Sequence, residues 1–333
     1  MATFAIDLHG GDFGPSVLIP ACFQFFRDHP KDQGILVGDL KTFRSLVQYC
    51  PVNIDWYDKP PLQGFASKPS RLLRSDSDSS IEACFQLVKS GKADVVVSAE
   101  HTGVLLVLTT KYGAVHPYLK RPVLASYIPT MSKPTVMLDL GASYSAKKEQ
   151  LLAFSAVGVG LIGGSKPSVA LLNVGIESFK GPLDIQAAHK ALLEWCNIDY
   201  RGYIEASDIY SGEQDVIVCD GFTGNSVIKS AEGAMGFAYR TLKARLSNGL
   251  VNRVLGLWMR GELHSAMKSL NPEECNGAIV AGSELTVVKS HGCAKERAFR
   301  NALERAAKFY AEGAAERVLG QLEWLSSTDE VLS

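Results

Sequence analysis

The sequence is short of the features that would tie it to a metal, a membrane or a nucleic acid. Its 7 cysteines are scattered, with no C-x-x-C pair and no Cys/His spacing of the metal-binding kind. That argues against a disulfide framework or a zinc site. Cys84 and Cys219 fall in apolar runs, where reduced, buried thiols are expected, as in a cytoplasmic protein. Basic residues (34) and acidic residues (35) nearly cancel, giving a formal charge of −1. No global basic field is left to attract nucleic acid. There is no apolar span of membrane-crossing length and no basic leader. The opening residues run straight into a strand, so neither a signal peptide nor a transmembrane helix is expected. No redox cofactor and no metal is signalled.

What the chain does have is the substance of one large α/β domain. It has 333 residues, 46% of them apolar and 21% charged, enough to bury a sizeable core. The stretch 215–233 organises the reading. Val216, Ile217, Val218 and Cys219 form a short β-branched run of buried-strand character. Asp220, Gly221, Phe222, Thr223, Gly224 and Asn225 then make a glycine-punctuated polar loop, and a helix is expected from Ser226. Strand, polar loop and helix in that order place backbone N–H groups and a helix N-terminus at the end of a sheet strand. Anionic ligands bind there in α/β folds. The same pattern equally fits a tight βα turn with no ligand.

The unit recurs. Strands are expected at 3–7, 34–38, 93–98, 122–127, 135–138, 168–174, 216–219, 277–281 and 285–288, alternating with helices at 16–27, 40–47, 81–90, 104–110, 147–163, 184–196 and 294–319, before a tail. The alternation predicts a three-layer α/β/α sandwich around a mostly parallel sheet. Five strand ends carry glycine with Asp, Asn, Ser, Thr, Lys or His, which predicts loops converging on a pocket along the carboxyl edge. Residues 60–80, rich in Pro, Ser, Arg and Asp and containing Arg71 and Arg74, read as a solvated loop or an anion-facing segment.

The loops, taken as an ordered set, resemble the acyl carrier protein:phosphate acyltransferase family of bacterial phospholipid synthesis. The residues that carry the resemblance run from Ile6-Asp7-Leu8-His9-Gly10-Gly11-Asp12 through Lys68-Pro69, Arg74, Asp78-Ser79-Ser80, Ser98-Ala99, Thr102-Gly103, Arg121-Pro122, Asp139-Leu140-Gly141-Ala142 and Asn173-Val174-Gly175. They continue through Lys180-Gly181 and Asp220-Gly221-Phe222-Thr223-Gly224-Asn225 to Lys289-Ser290-His291-Gly292. The resemblance implies a fold like the isocitrate and isopropylmalate dehydrogenases and the phosphotransacetylases, usually dimeric, with the cleft near the subunit interface. It implies that phosphate attacks the thioester of a long-chain acyl carrier protein to give acyl phosphate, which feeds a membrane glycerol-3-phosphate acyltransferase. The chain departs from the family pattern at Glu100-His101 (usually Gly-Asn), Ser143 (usually Asn) and Ile176 (usually acidic).

Carried over by position, the resemblance makes Lys180, Asn225 and His291 catalytic candidates. The substrate-binding candidates are Gly10, Gly11, Asp12, Arg74, Ser98, Thr102, Gly103, Asp220, Lys229, Lys289 and Ser290. The chemistry is consistent with those residue types: N–H groups and cations hold phosphate, while His291 or Asn225 donates to the carbonyl oxygen or the leaving sulfur. Cys219, set within an apolar strand, is a poor candidate for an acyl-enzyme nucleophile. Two other readings stay open: a phosphotransacetylase-like enzyme on short acyl-coenzyme A, and a weakened enzyme that binds lipid intermediates, motivated by Glu100-His101. A dehydrogenase reading rests on fold analogy alone and lacks a clean G-x-G-x-x-G fingerprint.

Residues 234–270 stand apart within this single 1–333 domain. Leu242, Leu246, Leu250, Val251, Val254, Leu255 and Trp258 fall at helical spacing, and Arg240, Lys243, Arg245, Arg253, Arg260 and Lys268 lie among them. A protruding amphipathic helix pair is expected, with Leu255, Trp258 and Arg253 meeting an anionic membrane peripherally, the acidic acyl carrier protein, or a second subunit of a homodimer.

Overall fold

A computed structural model describes residues 1–43, 45–64, 68–247, 261 and 275–332. Among the described residues, eleven strands form one sheet: β1 (Thr3–Asp7), β2 (Gln33–Gly38), β3 (Ile54–Asp58), β4 (Val95–Ser98), β5 (Val123–Ile128), β6 (Thr135–Leu138), β7 (Ser168–Leu172), β8 (Asp199–Ile204), β9 (Val216–Val218), β10 (Ala278–Ala281) and β11 (Thr286–Lys289). Their spatial order is β3-β2-β1-β4-β11-β10-β5-β6-β9-β7-β8. Pairing is parallel throughout except where β10 meets β11 and β5, and where β5 meets β6. The central strands are short, apolar and β-branched because both their faces are buried; VVVS of β4 and TVML of β6 are buried at every position.

Helices α1 (Pro15–Asp28), α4 (Lys148–Ile162), α5 (Leu183–Leu193), α7 (Glu296–Ala311) and α8 (Ala314–Leu332) contribute to one core, with Phe4, Ile6, Val97, Leu138 and Val218 from the sheet. The other face is divided. Helices α2 (Ser80–Lys89) and α3 (Thr102–Tyr112) pack around Ala5, Val96 and Val287, while the first turns of α6 (Gly221–Ser247) pack Val227 and Ile228 around Met137, Ala170 and Ile217. The ground between these clusters, over β5 and β10, is uncovered enough to form a cleft.

The three antiparallel pairings have a consequence that alternation alone does not convey. They turn β6, β7, β8 and β9 opposite to β1, β2, β3, β4 and β11. The polar loops therefore do not share one carboxyl edge, as the sequence predicted, but end at two opposite edges. Helix α6 starts at the carboxyl end of β9 and reaches His291, just beyond the carboxyl end of β11, through Glu232. It is the link between them.

Other expectations need correcting. Leu40–Thr42 and Val47–Tyr49 are 3-10 turns, where one helix over 40–47 was expected; Asp39 still caps the first through Lys41 N at 3.0 Å. The supposed tail is helix. Gly313, at φ 60°, breaks the chain between α7 and α8, and Leu322 and Leu325 of α8 are fully buried beside α4. A G-x-G-x-x-G spacing does exist at Gly158, Gly160 and Gly163. It lies in and just beyond the C-terminal half of α4, not at a strand-to-helix turn, so it forms no dinucleotide loop.

Candidate active site

The site is a cleft of about 780 Å3 between α3 and α6, floored by Leu124, Ser126 and Ile128 of β5 and by Ala278 of β10. Leu140, Met131, Tyr210, Ile228, Ala231 and Met235 give it apolar walls. Thr102, Asn225, Lys229, Glu232, Asn276, Lys289 and His291 supply polar groups. Of the residues singled out in the sequence, the cleft thus gathers Thr102, Asn225, Lys229, Lys289 and His291.

The loops behind the cationic side are braced by a buried carboxylate. Asp7, 1% exposed at the end of β1, accepts from Ser80 Oγ and Ser98 Oγ at 2.7 Å each and from His9 N at 3.1 Å. The Ser98 hydroxyl proton is therefore committed to Asp7, and its oxygen accepts from Glu100 N at 2.9 Å. Ser98, fully buried, fixes the loop into α3. Gly10 stands where a Cβ would meet Glu100 N at 2.6 Å and the Asp7 and Ser98 oxygens at 2.8 Å. Gly11 turns at φ 84°, letting Asp12 N donate to Gly292 O at 2.8 Å. Gly10, Gly11, Asp12, Gly103 and Ser290 thus hold loops beside the cleft.

Asn276 was missed in the sequence because a lone Asn carries no pattern. It is 2% exposed and its amide is fully used. Nδ2 donates to Ser290 Oγ and to Ala298 O, both at 2.7 Å, and Oδ1 accepts from His291 N at 2.9 Å. It fixes the turn Lys289-Ser290-His291 against α7. Ser290 Oγ, fully buried, accepts from Asn276.

Burial and the neighbouring Lys229 charge push the Lys289 ammonium below its ordinary pKa. Burial and Lys289 likewise depress His291, so the imidazole is biased toward its neutral form. Glu232 faces two of the three basic groups in the cleft: Oε2 is 2.8 Å from Lys229 Nζ and Oε1 is 3.7 Å from His291 Nε2. Burial, reinforced by Asp7, raises the Glu100 carboxyl; its Oε1 accepts from His101 N at 2.8 Å.

At the opposite edge, Asp220 caps α6 through Thr223 N (2.9 Å) and Thr223 Oγ1 (2.7 Å). Ser143 donates to Asp139 at 2.7 Å and accepts from Gly221 N at 2.9 Å, tying α6 to the loop after β6. Asn225 lies against Gly141 there while also lining the cleft. Lys180 is in the loop after β7, in an ion pair with Glu177 at 2.9 Å, and is not among the cleft residues. Arg74 is exposed at the end of a 3-10 turn. Leu255, Trp258 and Arg253 lie outside the described residues. Cys219 is 2% exposed, and burial raises its thiol well above the ordinary value, which does not suit a nucleophile.

A family model described as a fatty acid synthesis protein matches residues 2–317. A phosphate acyltransferase of Moritella marina is 38% identical over 330 residues, covering 96% of this chain and 98% of its own. One of Pseudomonas paraeruginosa is 35% identical over 328 residues, with the same coverage. Among solved structures, a phosphotransacetylase from Streptococcus pyogenes matches with TM-score 0.57 at 14% identity, covering 93% of this chain and 94% of that one. A phosphotransacetylase from Staphylococcus aureus matches with TM-score 0.55 at 15% identity, covering 92% and 94%. Those structures show the shared fold. The chain belongs to the fatty acid synthesis protein family and, with its phosphate acyltransferase relatives, is an acyltransferase.

Proposed function

We propose that the protein transfers a long-chain acyl group from the thioester of acyl carrier protein to inorganic phosphate, giving acyl phosphate and the free carrier thiol. The observation that carries this reading is the cleft itself, in which two lysines and a histidine adjoin a long apolar lining. A phosphate needs the first, an acyl chain the second.

In the reaction, a phosphate oxygen attacks the carbonyl carbon and a C–O bond forms. The carbonyl electrons move onto oxygen, and as they return the C–S bond breaks. The thiolate leaves and takes up a proton. Because a thiol ionises near pKa ~8.5, the departure needs little acid assistance. Phosphate is already anionic, so positioning by Lys289, Lys229 and the backbone N–H groups of Gly10, Gly11 and Thr102 supplies much of the work. His291, held neutral, keeps one N–H to offer the oxyanion or the sulfur; Asn225 is the second donor. Lys180, outside the cleft and paired with Glu177, has no step in this scheme.

The distal half of α6 presents Phe237, Tyr239 and Leu242 to solvent among Arg240, Lys243 and Arg245. These exposed groups support reading the described residues 234–247 as part of a surface for acyl carrier protein or an anionic membrane; residues 248–260 and 262–270 lie outside the described residues, and the peripherally associated homodimer and the membrane acyltransferase that takes up the product belong to the same proposal. The deciding experiment incubates purified protein with long-chain acyl carrier protein, with and without phosphate, and measures carrier thiol. Absence of phosphate-dependent release overturns the proposal. Preference for short acyl-coenzyme A in the same assay would replace the carrier by a soluble thioester.

A further inference from the structure

We propose that Glu232 is an internal stand-in for the phosphate anion, and that phosphate binds by displacing its carboxylate. This inference rests on the function proposed above and names a residue that sets how tightly the anion is held. Neither sequence pattern nor the resemblance singled out Glu232.

The argument is one of charge and position. Lys229 and Lys289 are close enough for Lys229 to depress the Lys289 ammonium, and both act in the same sense on His291. Three basic groups crowded together favour an anion among them. Here that anion is supplied from α6: Glu232 sits one helical turn after Lys229, with Oε2 at 2.8 Å from its Nζ and Oε1 at 3.7 Å from His291 Nε2. Its side chain is only 26% exposed and lines the cleft, so the carboxylate lies within the site although its partner Lys229 is 56% exposed. A carboxylate there offsets Lys229 and His291 without a ligand, while Lys289 feels Cys293 and Glu100 rather than Glu232. A phosphate, carrying more charge and more acceptor oxygens, competes for the same partners. On its arrival the carboxylate swings off Lys229, and Lys229 turns to the phosphate.

The test is Glu232→Gln, which keeps the side chain's size and removes its charge. Inorganic phosphate binding is measured by calorimetry on the full chain, and the KM for phosphate is measured with saturating acyl thioester. Phosphate should bind roughly tenfold more tightly, with a matching fall in KM, because a competing negative charge a few ångströms away is gone. Unchanged phosphate affinity overturns the inference, as does a fall in kcat with KM unchanged, which would make Glu232 an orienting partner of His291. A wild-type enzyme with no phosphate-dependent activity would instead sink the functional reading. The calorimetric arm tells the two failures apart, since it needs no turnover.

Discussion

At the scale of single residues, the site is governed by which protons and charges are already committed. Ser98 and Ser290 look alike in sequence, each a serine at a strand end. In the fold, Ser98 gives its proton to Asp7, whereas Ser290 is an acceptor for Asn276. No local pattern distinguishes them, because Asp7 and Asn276 are 91 and 14 residues away. The candidates that gather in the cleft were legible as residue types; their charge states were not. His291 is depressed by burial first and by Lys289 second. Its imidazole should therefore titrate below the ordinary ~6.5 when followed by NMR. In Lys289→Met the midpoint should rise, because a cation that opposed protonation is gone. A midpoint that stays put or falls would show that burial alone sets the value.

At the scale of elements, α2 and α3 are clasped by a carboxylate that no motif flagged. Glu82, 0% exposed in the first turn of α2, accepts from Ser77 N (2.5 Å), Ser77 Oγ (2.6 Å), Lys111 Nζ (2.5 Å) and Tyr112 OH (2.6 Å). Burial by itself would raise its carboxyl, but the bonds from Lys111, Ser77 and Tyr112 outweigh that and hold it below the usual range. The folded state thus binds its proton more weakly than the unfolded chain. The stability it contributes is present above the ordinary carboxylate pKa and is lost as pH falls through the lowered value. Glu82→Ala should cost about 3 kcal/mol in urea unfolding at pH 7, by stranding buried partners. The gap from wild type should narrow under acid conditions below pH ~4. A constant gap would mean the loss is packing alone. The clasp also explains the Ser- and Asp-rich stretch before α2. Part of that polar composition, which reads equally as a solvated loop, is consumed by Glu82, Lys111 and Asp7.

Across the whole molecule, the interior strands were legible and the two boundary strands were not. β3 and β8 sit at the two ends of the sheet order. Their sequences, IDWYD and DYRGYI, are half exposed and carry charge, so no continuous apolar run marks them. The C-terminal helix was hidden for a related reason. Its apolar face is narrow, Val318, Leu322 and Leu325, and polar residues follow it, yet Trp324 stacks on Trp195 at 5.1 Å and Arg317 Nε donates to Gly160 O at 2.9 Å. Leu325→Ala should lower stability by about 3 kcal/mol, read as a fall in the urea midpoint at constant slope. A neutral result would mean α8 is dispensable to the core. The reversed strand polarity of one half was not legible in the sequence: two of the antiparallel pairings join strands adjacent in the chain, β5 with β6 and β10 with β11, but the third joins β10 to the distant β5, Ile279 opposite Ala125.

That reversal makes α6 a lever. Twenty-seven residues of α-helix span about 40 Å, so a pivot of about 5° at its base moves its far end by about 3.5 Å. Its base is held without slack: a Cβ on Gly224 would strike the Asp139 carbonyl oxygen, and one on Gly221 would meet Ser143 O at 2.5 Å. Gly224→Ala should consequently tip the helix and alter catalysis at Lys229 and His291, changing KM for both substrates, although no atom of residue 224 lines the cleft. Normal kinetics in a variant that folds would show that the base yields locally. With a rigid arm joining the two edges, an event at one end is felt at the other as a change of angle.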